Sequence, residues 1–553
     1  MSRITTEADT DPLRELDANV RAAVTVVRGP AGEPSAQLRL ERSRREGQGD
    51  YSTNAAMLLA PALGSPPREI AERIGAELST VMGENLEHVE VAGPGFLNLF
   101  LSDTWYRQAL ASILAAGDGF GAGGAQRPER IVLEFVSANP TGPLNAANAR
   151  HGAYGDALGR ILERRGHAVW REYYFNDAGN QIRLLGESVR ARARGEEVPE
   201  GGYQGEYIAE LAAEIPGAAE LPGPELAARA VALMLDRVKA TLERYGVHYD
   251  QFFSERTLHA GSPNALERTL GRLEERGHIY TSEGARWLRT TTFGDDKDRV
   301  VIRSNGEPTY LAADIAYLDE KRGRGFDRQM IPVGSDHDAY ARELKAAMAA
   351  LGGDPDTVEV PILQFVHLVH EGEVFAMSKR RGDFVTLDDL LDAIGVDATR
   401  FFMLRSSHDR TLDLDLELAR QQSKENPVYY VQYAHARIAS MLRRLPEGRV
   451  AEALEPGADW GLDPLERQER DLVKKLGSFP EELAEAALRR APHRITQYAL
   501  ELAREFTAFY EACQVIGATP ASAEAFRIAL SVAAQRTIAL SLHLLGVSAP
   551  ESM

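Results

Sequence analysis

Residues 137–148 form a loop whose residue types can bind phosphate. The loop, SANPTGPLNAAN, follows an apolar run and precedes a helical pattern, so its last residues lie at a helix N-terminus. The free backbone N–H groups and the dipole of such a terminus attract anions. Asn145 and Asn148 are three residues apart, which places both side-chain amides on one face of the first turn. They could donate hydrogen bonds to a phosphate, or they could simply cap the helix.

A second candidate for phosphate binding is the segment MSKRRGD at residues 377–383. It follows a predicted strand and hairpin, which places three consecutive cations in a loop at the edge of a sheet. A run of charges is also typical of a solvated surface. Lys379 favours the functional interpretation, because only eight of the 63 basic residues in the chain are lysine.

The elements around these segments predict a parallel sheet. The run RIVLEFV at 130–136 has the apolar character of a buried strand, residues 149–165 have a helical pattern, and AVWREYYF at 168–175 is typical of a second strand. Together they predict a βαβ unit with a right-handed crossover. Strands and helices alternate again over residues 299–369, so we expect a doubly wound α/β domain of Rossmann type with its ligand site at the carboxyl ends of the strands.

Two flanking regions and one insertion complete the predicted organisation. Residues 1–105 read as a small α+β domain, and a Gly-rich linker follows them. Residues 106–398 form the α/β domain, within which residues 183–256 are mostly helical and resemble an insertion. From residue 399 to 553 amphipathic helices follow one another with short connections, which predicts an all-α bundle.

The composition excludes several classes of protein. With 44% hydrophobic and 26% charged residues, the chain is typical of folded soluble proteins. We expect no membrane span, because no segment approaches about 18 consecutive apolar residues. The N-terminal residues are polar and acidic, so we expect no secretory signal peptide. The single cysteine, Cys513, excludes intramolecular disulfides and multi-cysteine zinc sites and fits the cytoplasm.

Five sequence segments together resemble the arginyl-tRNA synthetases, which are class I aminoacyl-tRNA synthetases. The segments are EFVSANPTGPL, REYYFNDAGNQI, GYQGEYI, AMSKRRGDFVTLDDLL and NPVYYVQYAHARI, in this order along the chain. The resemblance extends from about residue 50 to the C-terminus. It implies an N-terminal domain that binds the tRNA elbow, a class I catalytic domain and an α-helical anticodon-binding domain.

The resemblance implies an arginine–tRNA ligase that makes arginyl-adenylate from arginine and ATP and transfers the arginyl group to the 3′ end of tRNA(Arg). A guanidinium needs planar carboxylates for bidentate hydrogen bonds. The positions that match the arginine contacts of the family are Glu134, Ser137, Asn139, Tyr310, Asp314 and His337. Those that match its ATP contacts are Pro140, Gly142, Ala147, Met377 and Ser378, while Asn145, Asn148 and Lys379 would stabilise the phosphates. Mg²⁺ would arrive with ATP, and no metal ligated by the protein is expected.

Two departures from the class I pattern leave an alternative open. Asn145-Ala146-Ala147-Asn148 stands where class I synthetases typically carry His-Ile-Gly-His, and Ala376 replaces the first lysine of Lys-Met-Ser-Lys. Asparagine can still donate to a phosphate oxygen. The methyl group of Ala147, however, lies where glycine lets adenine approach the backbone. The alternative function is therefore a catalytically silent paralogue that binds tRNA or arginine as a regulator.

The charge distribution indicates where RNA could bind. The formal net charge is −19, which argues against indiscriminate coating of nucleic acid. Residues 1–399 carry −17 of this charge, and residues 400–553 carry only −2. In the C-terminal region, Tyr430, Tyr433 and Arg437 could form an RNA-facing stripe, or the tyrosines could be core and the arginine merely solvated. The expected partners are tRNA(Arg), arginine and ATP, with no membrane and a monomeric chain.

Overall fold

The computed structural model of the chain describes residues 11–30, 38–43, 47–335, 339–370, 373–375 and 386–553. Its first region is a small α+β unit with an antiparallel sheet of four strands in the order β1-β2-β4-β3. Its elements are α1 (Pro12–Arg28), β1 (Leu40–Arg42), β2 (Tyr51–Thr53), α2 (Ala55–Leu63), α3 (Pro67–Met82), β3 (Leu86–Ala92), β4 (Phe96–Leu101) and α4 (Asp103–Ala116). Strands β3 and β4 form an antiparallel hairpin whose turn contains Gly93 and Gly95.

Local signals explain the first helix of this unit. Asp11 caps α1 by accepting hydrogen bonds from the N–H groups of Leu13 and Arg14, and Gly29 ends the helix with a positive φ of 58°. Its apolar residues recur every three or four positions and are buried in the core of the unit: Leu16, Val20, Ala23, Val24 and Val27. This spacing gives α1 one buried face, which packs against the rest of the N-terminal unit.

The second region is built on a parallel sheet of five strands in the order β13-β11-β5-β6-β7. These strands are β5 (Arg130–Glu134), β6 (Ala168–Phe175), β7 (Gln251–Ser254), β11 (Arg328–Met330) and β13 (Val358–Glu359). Helix α5 (Ala146–Arg164) crosses over from β5 to β6, which confirms the predicted βαβ unit. The strand order reverses between β5 and β11, and ligands of open α/β sheets bind at this kind of switch point.

Further helices and short strands surround this sheet. They include a three-stranded antiparallel sheet, a pair of two-residue strands and a three-stranded mixed sheet. Their bounds are α6 (Gly179–Arg194), α7 (Glu206–Glu214), α8 (Gly223–Arg244), α9 (Ala265–Glu275), β8 (Ile279–Ser282), β9 (Ala285–Leu288), β10 (Arg299–Ile302), α10 (Tyr310–Gly323), β12 (Val333–Gly334), α11 (Tyr340–Ala350), β14 (Ile362–Leu363), β15 (Val366–His370), β16 (Glu373–Phe375) and α12 (Leu387–Met403).

Several predicted elements need correction. The helical insertion expected over residues 183–256 ends earlier, because Gln251–Ser254 is β7, a strand of the main sheet. The all-helical region expected over residues 399–553 also contains a strand, β17 (Leu412–Asp415), which pairs in parallel with β15. The strand expected over residues 358–369 is divided into β13, β14 and β15. These strands have two to five residues, which is too short for a clear period of two.

The third region is a helical bundle. Its helices are α13 (Leu416–Arg420), α14 (Pro427–Leu442), α15 (Arg449–Leu454), α16 (Arg467–Gly477), α17 (Phe479–Leu488), α18 (His493–Ala512) and α19 (Ala521–Leu545). In length and composition α19 could cross a membrane, but 72% of its most apolar window is buried. A helix that is apolar on all sides and buried by its neighbours is typical of the centre of a bundle.

One buried arginine connects the second region with the bundle. Arg400 on α12 is fully buried and forms an ion pair with Asp156 on α5. Its guanidinium also donates to the carbonyl of Tyr245 after α8 (3.1 Å) and to the carbonyl of Leu545 at the end of α19 (3.0 Å). Arg400 therefore joins α5, α8, α12 and α19 at one point.

Replacing Arg400 with methionine should destabilise the protein strongly. The Arg400→Met variant leaves two carbonyl groups without their buried donor and leaves Asp156 with only its Arg160 and Arg171 partners, at a cost of about 3 kcal/mol. We expect a clear loss in the midpoint of urea unfolding. The control is Arg229→Met, because Arg229 forms an exposed ion pair with Glu225 on α8 that contributes at most about 1 kcal/mol. Equal midpoints for the two variants would contradict the role of Arg400.

Candidate active site

Glu134 ends β5 at the switch point of the sheet and is only 8% exposed. One carboxylate oxygen accepts a hydrogen bond from the Ser137 hydroxyl (3.1 Å). Between them the backbone turns sharply, with φ values of 67° at Val136 and 42° at Ser137. Left-handed backbone is strained for residues other than glycine, and most of all for a β-branched one. Strain of this kind is found at functional sites, where the surrounding structure holds it.

The loop after Ser137 is anchored by neighbouring elements. Asn139 accepts a hydrogen bond from the backbone N–H of Asn176 (3.2 Å) and donates one to the Gln181 side chain (2.8 Å). Tyr207 on α7 donates to the carbonyl of Thr141 (2.9 Å), and a Cβ at Gly142 would lie 3.1 Å from the Tyr207 hydroxyl oxygen. The helical insertion therefore fixes the path of the loop, and Pro140 within the loop is buried.

Asn145 and Asn148 cap α5. Each side-chain oxygen accepts a hydrogen bond from the backbone N–H of the other residue, at 3.1 Å for Asn145 and 3.0 Å for Asn148. The structure thus shows that both asparagines cap the helix, which was one of the two roles considered for them. Among the described residues neither side-chain NH₂ group has a recorded hydrogen bond, so both remain available as donors. Ala147, between them, is exposed at the helix N-terminus.

The start of α12 lies next to the start of α5. Asn145 forms an isolated antiparallel bridge with Thr386, and the N–H of Leu387 donates to the carbonyl of Leu144 (2.8 Å). Thr386, three residues after MSKRRGD in the sequence, therefore lies beside the predicted phosphate site. Four predicted site residues lie outside the described residues: His337, Met377, Ser378 and Lys379.

Two carboxylates, Glu134 and Glu255, act on a third, Asp314, at the carboxyl end of the sheet. Burial raises the pKa of Asp314 on α10 to about 8, together with the negative charges of Glu134 and Glu255. The Tyr340 side chain hydrogen-bonds Asp314 and opposes this rise. Glu255, which directly follows β7, accepts a hydrogen bond from the Tyr174 hydroxyl (2.6 Å). The site is therefore a buried acidic pocket that favours a cation.

The sequence reasoning missed four residues of this acidic pocket. They are Tyr174, Glu255, Lys321 and Tyr340. The sequence contains a positional signal for two of these residues, Lys321 and Glu255. Lys321 follows Asp314 by seven residues, so two helical turns place both side chains on one face of the helix. Glu255 directly follows residues 251–254, and reading these residues as a strand would have placed Glu255 at its carboxyl end.

Tyr310 lies differently from the other predicted pocket residues. It is the first residue of α10 and is 69% exposed, although its spacing from Asp314 places both on one helical face. In this structure Tyr310 is therefore an exposed side chain one helical turn before Asp314.

The bundle carries an exposed aromatic and basic face. The rings of Tyr429 and Tyr433 stack with centroids 6.1 Å apart, and Tyr433 is 43% exposed. The Arg437 guanidinium lies 4.4 Å from the ring centre of Tyr510 and 5.7 Å from that of Tyr433. Tyr430 lies elsewhere, because it packs against the core and its hydroxyl contacts Thr507 (3.2 Å). The core interpretation therefore fits Tyr430, whereas Tyr433 and Arg437 share the exposed face.

The part of the chain that the structure describes contains no group of three His, Cys, Asp or Glu side chains placed to hold a metal ion.

Comparison with protein families gives three consecutive matches. Residues 14–101 match the arginyl tRNA synthetase N terminal domain, and residues 223–430 match the catalytic domain of the class I (R) tRNA synthetases. Residues 431–553 match the DALR anticodon binding domain.

Individual relatives agree with these matches. A curated arginine–tRNA ligase from Frankia alni is 45% identical over 98% of this chain and 96% of its own length. The solved arginyl-tRNA synthetase of Thermus thermophilus is 25% identical, with a TM-score of 0.76 over 98% of this chain and all of that one. The Plasmodium falciparum arginyl-tRNA synthetase shares the fold at 15% identity, with a TM-score of 0.74 over 98% of this chain and 99% of that one.

The fold and these matches define a class I aminoacyl-tRNA synthetase. The chain belongs to the arginyl-tRNA synthetase family, and its activity is that of an ATP-dependent arginine–tRNA ligase. The predicted family, fold class and function are therefore confirmed. The catalytically silent alternative finds no support in these comparisons.

The pKa of Asp314 should make stability depend on pH. In the unfolded chain this carboxyl titrates near its ordinary value of 3.8, whereas in the folded chain its pKa is about 8. As the pH rises from about 4 to 8, the unfolded state releases the proton first, so the folded state loses stability. The Asp314→Asn variant lacks this group. We therefore expect its thermal midpoint, relative to wild type, to increase between pH 5 and pH 8.5.

The matched control for this measurement is Asp236→Asn, because Asp236 is exposed on α8. The difference in thermal midpoint between Asp236→Asn and wild type should stay constant from pH 5 to pH 8.5. A constant difference for Asp314→Asn as well would contradict the raised pKa.

Proposed function

We propose that the acidic pocket binds the guanidinium group of arginine through Glu134 and Asp314. The observation that carries this proposal is the repulsion that Glu134 and Glu255 exert on Asp314, which favours a bound cation. A planar guanidinium can form bidentate hydrogen bonds with such carboxylates. Its positive charge lowers the pKa of Asp314, so arginine binding releases a proton from that carboxyl near pH 7.

Residues around this acidic pocket complete the proposed arginine site. Ser137 and Asn139 belong to the strained loop at the end of β5, where they can hold the α-amino and carboxylate groups of the substrate. His337 is proposed to contact arginine and ATP, and Tyr310 to close the pocket.

ATP is proposed to bind along the loop and the start of α5, entering as its Mg²⁺ complex. Pro140, Gly142 and Ala147 would line the nucleotide site together with Met377 and Ser378. The free N–H groups at the start of α5 favour an anion there. The NH₂ groups of Asn145 and Asn148 would donate to phosphate oxygens, and Lys379 would add a positive charge.

The proposed reaction has two steps without a covalent enzyme intermediate. An oxygen of the arginine carboxylate attacks the α-phosphorus in line, the bond from this phosphorus to the β-phosphate oxygen breaks, and pyrophosphate leaves. A hydroxyl of the 3′-terminal ribose of tRNA then attacks the activated carbonyl carbon, and AMP leaves. Positioning and charge stabilisation supply most of the catalysis.

The tRNA is proposed to contact the first and third regions. The N-terminal unit would bind the elbow of the tRNA, and the bundle would bind the anticodon. Unpaired bases stack on aromatic rings and on guanidinium groups, and the face formed by Tyr433 and Arg437 offers both. Tyr430 would contribute by packing beneath this face. We also propose that the enzyme is monomeric and works in the cytoplasm.

Aminoacylation of total tRNA with labelled arginine tests the proposed arginine site. The Asp314→Asn variant should raise the arginine KM by about 30-fold or more, because removing one partner of a buried charge pair costs about 2–5 kcal/mol. Its affinity for tRNA should not change. Lys379→Ala is the companion variant, and it should lower kcat with little effect on the arginine KM. An unchanged arginine KM in Asp314→Asn would contradict the assignment of the pocket.

Substitutions at Asn145 separate capping from catalysis. Serine and aspartate both cap helices well, so Asn145→Ser and Asn145→Asp should keep the thermal midpoint of wild type. Both lose the long NH₂ donor, and aspartate adds a negative charge beside the proposed phosphates. We expect kcat to fall about 10-fold or more in Asn145→Ser and further in Asn145→Asp. Wild-type kcat in both variants would mean that Asn145 only caps α5.

A further inference from the structure

A lysine lies inside the acidic pocket. Lys321, in the last turn of α10, is only 1% exposed, and its ammonium group forms an ion pair with the second carboxylate oxygen of Glu134. The other oxygen of Glu134 accepts from Ser137 (3.1 Å). Both oxygens of Glu134 therefore already have one donor before any substrate binds.

The other two carboxylates have different partners. Asp314 is hydrogen-bonded by the Tyr340 side chain, and Glu255 by the Tyr174 hydroxyl. His259 also lies 3.6 Å from Glu255, where its charge depends on protonation. Within the described residues, Lys321 is thus the basic side chain that the structure places against this carboxylate trio. It neutralises Glu134 and leaves Asp314 and Glu255 for another cation.

Packing beneath the acidic pocket holds Lys321 in position. Its ammonium nitrogen lies 3.9 Å from the centre of the Tyr317 ring. The Tyr317 hydroxyl donates to Glu172, which is fully buried and also accepts two hydrogen bonds from Arg324 (2.6 and 2.7 Å). Because these groups fix the ring, the ammonium of Lys321 cannot move away from Glu134 without losing its contacts.

We propose that Lys321 is a positioning residue that determines the amino-acid specificity of the site by occupying the ammonium position on Glu134. This inference rests on the arginine site proposed above. A guanidinium is a planar fork with several donors, so it can use the remaining lone pairs of Glu134 and reach Asp314 at the same time. A substrate ammonium is a point charge, and near Glu134 it meets the like charge of Lys321.

The proposal explains how a pocket with three carboxylates can reject the lysine side chain. Without Lys321, Glu134 would be an unpaired buried carboxylate, and it would bind a substrate ammonium as readily as a guanidinium. With Lys321 in place, an ammonium gains little at Glu134, whereas a guanidinium, whose charge is spread over a planar fork, is repelled less and still reaches Asp314. Discrimination therefore comes from a repulsive group as well as from attractive ones.

The test compares arginine with L-lysine as a competitive inhibitor in aminoacylation. In Lys321→Met we expect the arginine KM to rise about 30-fold or more, because the plane of Glu134 is no longer fixed. The inhibition constant of L-lysine should stay the same or fall, so its ratio to the arginine KM should drop by at least 30-fold. The values of kcat and of the ATP KM should stay within about 3-fold of wild type.

The matched control is Lys345→Met, because Lys345 is half exposed on α11 and pairs only loosely with Asp356 (3.6 Å). This variant should leave all four constants unchanged. A purely structural role for Lys321 would lower the thermal midpoint and keep the ratio of the two constants within about 3-fold of wild type, which would overturn the proposal.

Two further variants keep the test decisive. If Lys321→Met does not fold, Lys321→Gln retains a hydrogen-bond donor without the charge, and the same drop in ratio is expected. The double variant Glu134→Gln/Lys321→Met removes both buried charges and should discriminate no worse than Glu134→Gln alone. If it discriminates worse, Lys321 does not act through Glu134 and the proposal fails.

The failure of this inference differs from a failure of the proposed arginine site. If Glu134→Gln and Asp314→Asn both leave the arginine KM unchanged, the site itself is wrong. If both raise the arginine KM while Lys321→Met keeps wild-type discrimination, only the role of Lys321 is wrong.

Discussion

The repulsion that Glu134 and Glu255 exert on Asp314 is the constraint on which the site depends. Buried carboxylates avoid one another unless other contacts hold them together. Here they come from three distant parts of the chain: the end of β5, the second turn of α10 and the residue after β7. Hydroxyl groups and Lys321 offset part of the repulsion, and a substrate cation can supply the rest. The acidic pocket is thus most stable when it is filled.

The surrounding structure must resist this repulsion, and several contacts do so. Arg324 and Tyr317 fix Glu172 beneath the acidic pocket, and α7 holds the strained loop above it through Tyr207. The left-handed backbone at Val136 and Ser137 turns the chain away from β5, so that Ser137 can reach back to Glu134. The helical insertion therefore belongs to the architecture of the site, although it lies outside the parallel sheet.

The three regions of the chain also support one another. Arg400 joins α5 and α12 to the end of α19, so the helix that begins with Asn145 and Asn148 is tied to the bundle. Two ion pairs connect α16 of the bundle to the N-terminal unit. Lys474 pairs with Asp50 (3.1 Å), and Arg470 pairs with Asp103 (2.7 Å). A tRNA that contacts both outer regions would therefore touch a framework that is continuous with the catalytic sheet.

The sequence by itself determined the βαβ unit, the capped helix after the loop, the three regions and the family. These features could be predicted because each depends on a long periodic segment or on motifs that are contiguous in the sequence. Only the tertiary structure decided that Gln251–Ser254 joins the sheet, since a four-residue strand is defined by its pairing and not by its own pattern. Tertiary structure also brought Glu255, Lys321 and Tyr340 to the acidic pocket. Burial and charge at that pocket arise from residues far apart in the chain, and no local pattern contains this information.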